Sequence, residues 1–125
     1  MISKSTDVDF QLKNFSEFAA LVPDNFLFHY RLGYLYGKEK GDLARSIYYL
    51  QKAIELRPKE THALEALSHA YKLLKDYDRA ALYLEQAAAE DPGNQSHLTR
   101  LLAIYQLAGN REKEQALLQR MGQTH

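Results

Sequence analysis

A chain of 125 residues has room for one compact core or a short array of repeats, and not for two ordinary domains. Lys and Arg number 16, as do Asp and Glu, so no net field draws the chain to nucleic acid or to an anionic membrane. The absence of Cys excludes disulfides, thiolate metal sites and a Cys nucleophile. The apolar runs, a few residues each, fall far short of the roughly 20 that a membrane-spanning helix needs.

Asp7 and Asp9 stand where a secretion leader would need an apolar core, so an unsecreted, cytoplasmic protein is expected. Thr6 followed by Asp9 is a capping pair, and Leu12, Phe15, Phe18 and Val22 recur at helical spacing up to Pro23. That pattern predicts one amphipathic N-terminal helix over 6–22. Asp24 or Asn25 can cap the next helix, which carries Leu32, Gly33 and Tyr36. The turn Lys40-Gly41-Asp42 leads into a second helix bearing Ser46, Leu50 and Ala53, closed by Pro58. The same order returns over 61–92. Leu64, Leu67 and Tyr71 mark a face of one helix, Ala80, Leu84 and Ala87 a face of another, and Pro92 ends the unit. From Gln95 to Ala108 a first helix repeats with Leu98, Leu101 and Tyr105. Gly109 and Asn110 turn the chain, and a last helix over 111–121 is expected to point Leu118 and Met121 inward.

Pro23 and Pro58 are 35 residues apart, Pro58 and Pro92 34, so the first unit carries one extra residue, most simply between Gly37 and Gly41. A period held this closely with the same slots filled is the mark of a helical solenoid. These residues resemble the tetratricopeptide repeat. Leu32-Gly33 with Tyr36 matches its Leu-Gly-x-x-Tyr core, and Leu67, Ser68, Tyr71, Ala80, Leu84, Ala87 and Pro92 fill the corresponding slots, with Leu64 in the Trp slot. The resemblance covers about residues 8–121. It implies an all-α, right-handed α-solenoid of antiparallel helix pairs with about seven helices: one unit over 1–125, built of a half-repeat helix and repeats over 26–58, 61–92 and 95–121. Ser46 and Ala80 are then packing residues where helices cross, and Tyr36, Tyr71 and Tyr105 buried rings. His29 in the Trp slot departs from the pattern. So do Leu102 and Glu114 in two small slots, which predict a wider, more solvated crossing in the last repeat.

No Gly-rich phosphate loop, nucleophile elbow or paired carboxylates fall on a strand-to-helix turn, because no strand is expected, so the chain reads as no enzyme and as needing no cofactor. Glu65 and His69, four apart, share a helix face with His62 nearby, but His62 and His69 are two turns, or roughly 10 Å, apart, too far for one metal ion. Basic residues are scattered among acids, which argues against nucleic acid, and the N-terminal helix lacks the cationic face of a membrane-surface helix. What remains is the concave face. Once the core slots are fixed, the helical period places there Tyr30, Tyr34 and Lys38, then His62, Glu65, His69 and Lys72, then Thr99, Arg100, Ala103 and Gln106. Exposed Tyr, His and Arg suit a peptide segment of a partner protein, held in extended or helical form. The family's chaperone-binding members use five residues to clamp an acidic tail. Here those positions are Tyr30, Tyr34, Ala66, Ser96 and Arg100, and only Arg100 keeps the expected donor, so no such tail should bind specifically. The rival readings are a small secretion-type chaperone that dimerises through its N-terminal helix, and a structural oligomeriser or assembly factor that pairs through its last helix, with Leu117, Leu118 and Met121.

Overall fold

The computed structural model describes residues 4–122, which form seven α-helices and no strand. These are α1 (Lys4–Leu21), α2 (Phe26–Lys40), α3 (Leu43–Leu56), α4 (Thr61–Leu73), α5 (Tyr77–Glu90), α6 (Gln95–Ala108) and α7 (Arg111–Gly122). The outermost residues of the expected 1–125 unit, 1–3 and 123–125, lie outside the described residues. Helices α2 with α3, and α4 with α5, pack most extensively, α6 with α7 much less, and each pair leans on the next through α3 with α4 and α5 with α6. Helix α2 also reaches α4 directly, so the first helices of the first two repeats touch. The architecture is that of a helical solenoid.

Within the first two repeats the helices cross at almost no distance. A Cβ on Gly33 would lie 2.6 Å from Leu50 Cγ, and one on Gly37 would lie 2.7 Å from Ser46 Oγ. The Ser46 hydroxyl donates to the Gly33 carbonyl at 2.7 Å, tying α3 to α2. In the second repeat the hydroxyl sits on the other helix, with Ser68 Oγ donating to the Ala80 carbonyl, also at 2.7 Å. Leu102 and Glu114 occupy these slots in the third repeat. There α6 and α7 are joined instead by a long contact from Gln106 Nε2 to Glu114 Oε1 at 3.4 Å. The looser last crossing expected from the sequence is therefore present.

Each turn inside a repeat has one design. A residue in left-handed conformation, Gly41 (φ 63°), Lys75 (φ 64°) or Gly109 (φ 70°), is followed by an N-cap. Asp42, Asp76 and Asn110 accept from the backbone N–H of Arg45, Arg79 and Lys113 at 3.1, 3.2 and 3.1 Å. Asp76 and Asn110 donate their own N–H to the carbonyls of Tyr71 and Tyr105, five residues back, whereas Asp42 reaches six residues back to Tyr36. The extra residue of the first repeat thus lies between Tyr36 and Asp42, as its spacing predicts.

Three details differ from the sequence-based expectation. Helix α1 begins at Lys4, so Thr6 lies inside it and is not its cap. Its buried residues are Val8, Leu12 and Ala19, with Phe15 half-buried, while Phe18 (47% exposed) lies at the edge of the contact, stacked on Phe28 at 5.4 Å, and Val22 stands outward. The inward face follows α2, the one helix beside it, so the stripe is rotated from the one read toward Pro23. On α7 it is Leu117 (3% exposed) that enters the core and Leu118 (41%) that faces out, while Met121 packs against the core as expected.

Lys75 is the only non-glycine residue with positive φ among the described residues, in the slot where the other repeats carry Gly. A left-handed residue with a Cβ costs about 1–2 kcal/mol, partly offset by the extra freedom of Gly in the unfolded chain. Lys75→Gly should therefore raise the unfolding free energy by about 0.5–1 kcal/mol in urea titrations. A loss of stability would mean that the Lys75 side chain makes a compensating contact.

Candidate functional site

On α2, helical spacing of i, i+4 and i+8 stacks Phe26, Tyr30 and Tyr34 into a ladder. Ring centroids are 5.7 Å apart for Phe26 and Tyr30 and 6.3 Å for Tyr30 and Tyr34. Cations close both ends. The Arg57 guanidinium lies 4.9 Å from the Phe26 centroid, and Lys38 lies 5.3 Å from that of Tyr34 while donating to its hydroxyl at 2.9 Å. That hydrogen bond raises the Lys38 pKa. Burial, then the neighbouring Tyr34, raises that of Tyr30, with Arg31 opposing. At the Phe26 end an open cleft of about 410 Å³ is lined by Asp24, Asn25, Phe26, Leu27, Leu56 and Arg57.

A second group gathers around Glu65 on α4. Its Oε1 is 3.2 Å from Nδ1 of the buried His97, and its Oε2 is 3.9 Å from His62 Nδ1 and 4.0 Å from Arg100 Nη1. Of the residues expected on the concave face, Tyr30, Tyr34 and Lys38 form one contiguous set, and His62, Glu65 and Arg100 another. His69 is exposed, and Lys72 and Ala103 are half-buried. Two others are already engaged, Thr99 through its hydroxyl to the Gln95 carbonyl at 3.1 Å and Gln106 to Glu114. Sequence reasoning missed Phe26, legible as one step further along the ladder. It also missed Arg57, which arrives from the turn after α3 with no local signal. His97 was missed too, because its slot holds a plain core residue, Ala63, one repeat earlier.

Behind the first helices runs a row of tyrosines that the repeat builds in every unit. Tyr36 and Tyr49 stack at 5.7 Å and 4° between planes, Tyr71 and Tyr83 at 5.7 Å and 5°. The cation that follows each N-cap lies over the first ring: Arg45 over Tyr36 (5.6 Å), Arg79 over Tyr71 (5.8 Å), Lys113 over Tyr105 (5.8 Å). Tyr36 and Tyr71 are half-buried, and only Tyr105 reaches the depth expected of all three. The joints between repeats use the same ring. Gln51 Nε2 donates to Tyr83 Oη at 2.8 Å and reaches Tyr71 Oη at 3.5 Å, and Tyr105 Oη donates to Glu85 Oε1 at 2.8 Å.

Residues 38–105, more than half of the chain, match the tetratricopeptide repeat family. The chain belongs to that family. A search of the curated proteins finds no match. Solved tetratricopeptide-like structures that superpose on it include MamA AMB-1, with a TM-score of 0.83 at 20% identity over 97% of this chain and 66% of that one. A crystal structure of MamA gives 0.81 at 21% identity over 89% and 64%. MamA from its residue 41 to the end, from Desulfovibrio magneticus RS-1, gives 0.76 at 17% identity over 94% and 64%. At such identities the likeness is one of fold, and this chain spans about 64% of the length of the MamA chains. A tetratricopeptide array of this kind is in general terms a protein-interaction scaffold. Among the described residues no group of three or more His, Asp or Glu could hold a metal ion, and no helix is long and apolar enough to cross a membrane.

The joint at Tyr105 has a measurable signature. Burial, then the hydrogen bond to Glu85, raises the phenol pKa well above its ordinary value near 10. The folded protein keeps a proton that the unfolded chain releases, so this contribution is complete below about pH 10 and declines as the pH rises above it. Urea midpoints between pH 9 and 11.5 should fall with pH, and fall less steeply in Tyr105→Phe. Equal slopes would show that the joint does not hold the proton.

Proposed function

We propose that this chain is a protein-interaction module that holds a peptide segment of a partner protein along its first helices, with Tyr30, Tyr34, His69 and Arg100 as principal contacts. The observation that carries this reading is the ladder of Phe26, Tyr30 and Tyr34 between Arg57 and Lys38. Tyr34 keeps 37% of its surface in contact with solvent although it is a large ring on a helix otherwise packed on two sides. Rings already ordered by their neighbours offer contact area at small entropic cost, which favours them as anchors. Lys38, Lys72, Thr99, Ala103 and Gln106 complete the proposed surface around them, with His62 and Glu65 at its centre. No chemistry on the partner is proposed, and the cytoplasm is the proposed setting. Binding of a candidate partner segment, followed by fluorescence anisotropy, should weaken at least tenfold, about 1.4 kcal/mol, in the Tyr34→Ala/His69→Ala double variant with circular dichroism unchanged. Unaltered affinity in the folded variant would remove the groove assignment.

A second reading, a secretion-type chaperone or structural assembly factor that pairs with its own copy, is favoured by one observation on α1. Counting from the closing prolines, Phe18 occupies the slot of Ala53 and Ala87, both fully buried. Among the described residues α1 packs chiefly on α2, where Phe18 stacks on Phe28 at 5.4 Å yet stays 47% exposed, and Phe10 and Leu21 are exposed as well. Leu118 leaves a smaller apolar surface at the other end. Light scattering separates the readings: a dimer that becomes a monomer on Phe18→Glu supports this one, and a wild-type monomer at tens of micromolar sinks it.

A further inference from the structure

His97 is 1% exposed, one residue before the core Leu98 on α6. Its two ring nitrogens meet acids from two different elements. Nδ1 is 3.2 Å from Glu65 Oε1 on α4, and Nε2 is 3.5 Å from Oδ2 of Asp91, the C-cap of α5. Neither nitrogen makes an aligned hydrogen bond to any group, these two acids included, so both approaches are close contacts of ring and carboxylate. The remaining charged and titratable neighbours reach the acids, not the ring. His62 on α4 and Arg100 on α6 stand 3.9 and 4.0 Å from Glu65 Oε2, the Tyr30 hydroxyl on α2 interacts with Glu65 electrostatically, and Asn94 Nδ2 donates to Asp91 Oδ2 at 3.1 Å.

A carboxylate only accepts hydrogen bonds, and a neutral imidazole has one N–H and one lone pair. Whichever tautomer forms, one nitrogen, itself shielded from water, then turns its lone pair on a carboxylate oxygen. Only the doubly protonated ring presents an N–H to both sides. Burying that cation costs free energy, which two carboxylates within 3.5 Å of the ring nitrogens are placed to offset. We infer that His97 is a proton-operated clasp between the second and third repeats: doubly protonated, its ring ties Glu65 to Asp91, and loss of one proton opens that tie. Glu65 is then left to Arg100 and His62 at the surface. The clasp requires no peptide in the groove, so it stands or falls apart from the function proposed above.

The test uses the full chain labelled with ¹⁵N, recording long-range imidazole spectra from pH 5.5 to 9.5 beside thermal unfolding of the wild type and His97→Gln. At pH 5.5 both His97 nitrogens should resonate as N–H nitrogens, and the wild type should melt about 4 °C above the variant. As the ring loses one proton on raising the pH, that gap should close to within about 1 °C. A His97 ring already neutral at pH 5.5 overturns the clasp, as does a melting gap that stays constant while the ring titrates. If His97→Gln does not fold, the wild-type spectra still decide the protonation state, and Asp91→Asn, altered at a half-exposed acid, takes its place in the melting comparison.

Discussion

Everything in this molecule depends on how closely two helices of one repeat approach each other. Leu50 fills the space that a Cβ on Gly33 would need, and the Ser46 hydroxyl lies where one on Gly37 would fall. At that separation a backbone carbonyl comes within reach of a hydroxyl from the facing helix, and a buried polar contact replaces what would otherwise be an unsatisfied group. The second repeat solves the same problem with the hydroxyl moved to the other helix. What these two repeats share is a close approach of their helices, and Gly, Ser and Ala are different means to it.

The close crossing also fixes where the tyrosines can go. With the backbones near one another, Tyr36 meets Tyr49 and Tyr71 meets Tyr83 face to face, and a cation from the first turn of the second helix covers the stack. This back row consumes Tyr36, Tyr49, Tyr71 and Tyr83 in packing. In the front row on α2, Phe26 to Tyr34, the rings stack on one another along a single helix, half-buried at Phe26 and Tyr30 and exposed at Tyr34. Residues of one type thus serve two ends, and position along the helix pair decides which.

Much of this was legible before any coordinates. Pro23, Pro58 and Pro92 each fall two residues after the end of α1, α3 and α5, the extra residue before Asp42 was placed correctly, and Leu102 with Glu114 announced the loose third crossing. Faces on terminal helices were less legible. Helices α1 and α7 each have a neighbour on one side only, so a periodic apolar pattern leaves the choice of buried stripe open by a residue, which is how Phe18 and Leu118 came to face out while Ala19 and Leu117 went in. Contacts between residues far apart in sequence were not legible at all. Nothing local in Arg57 points to Phe26, and nothing in His97 points to two acids thirty-two residues before and six residues before it.

The third repeat loses its devices one by one: no hydroxyl at the crossing, Leu117 where the others stack a second tyrosine, and lysine where the others carry arginine over the ring. In a linear array, where each unit leans only on its neighbours, such a decline makes cooperativity directional. Opening at α7 would meet rising resistance toward α4 and α2. Amide exchange would then grade along the chain, and the aromatic front row, set on the most extensively packed pair, would keep its shape while the third repeat opens.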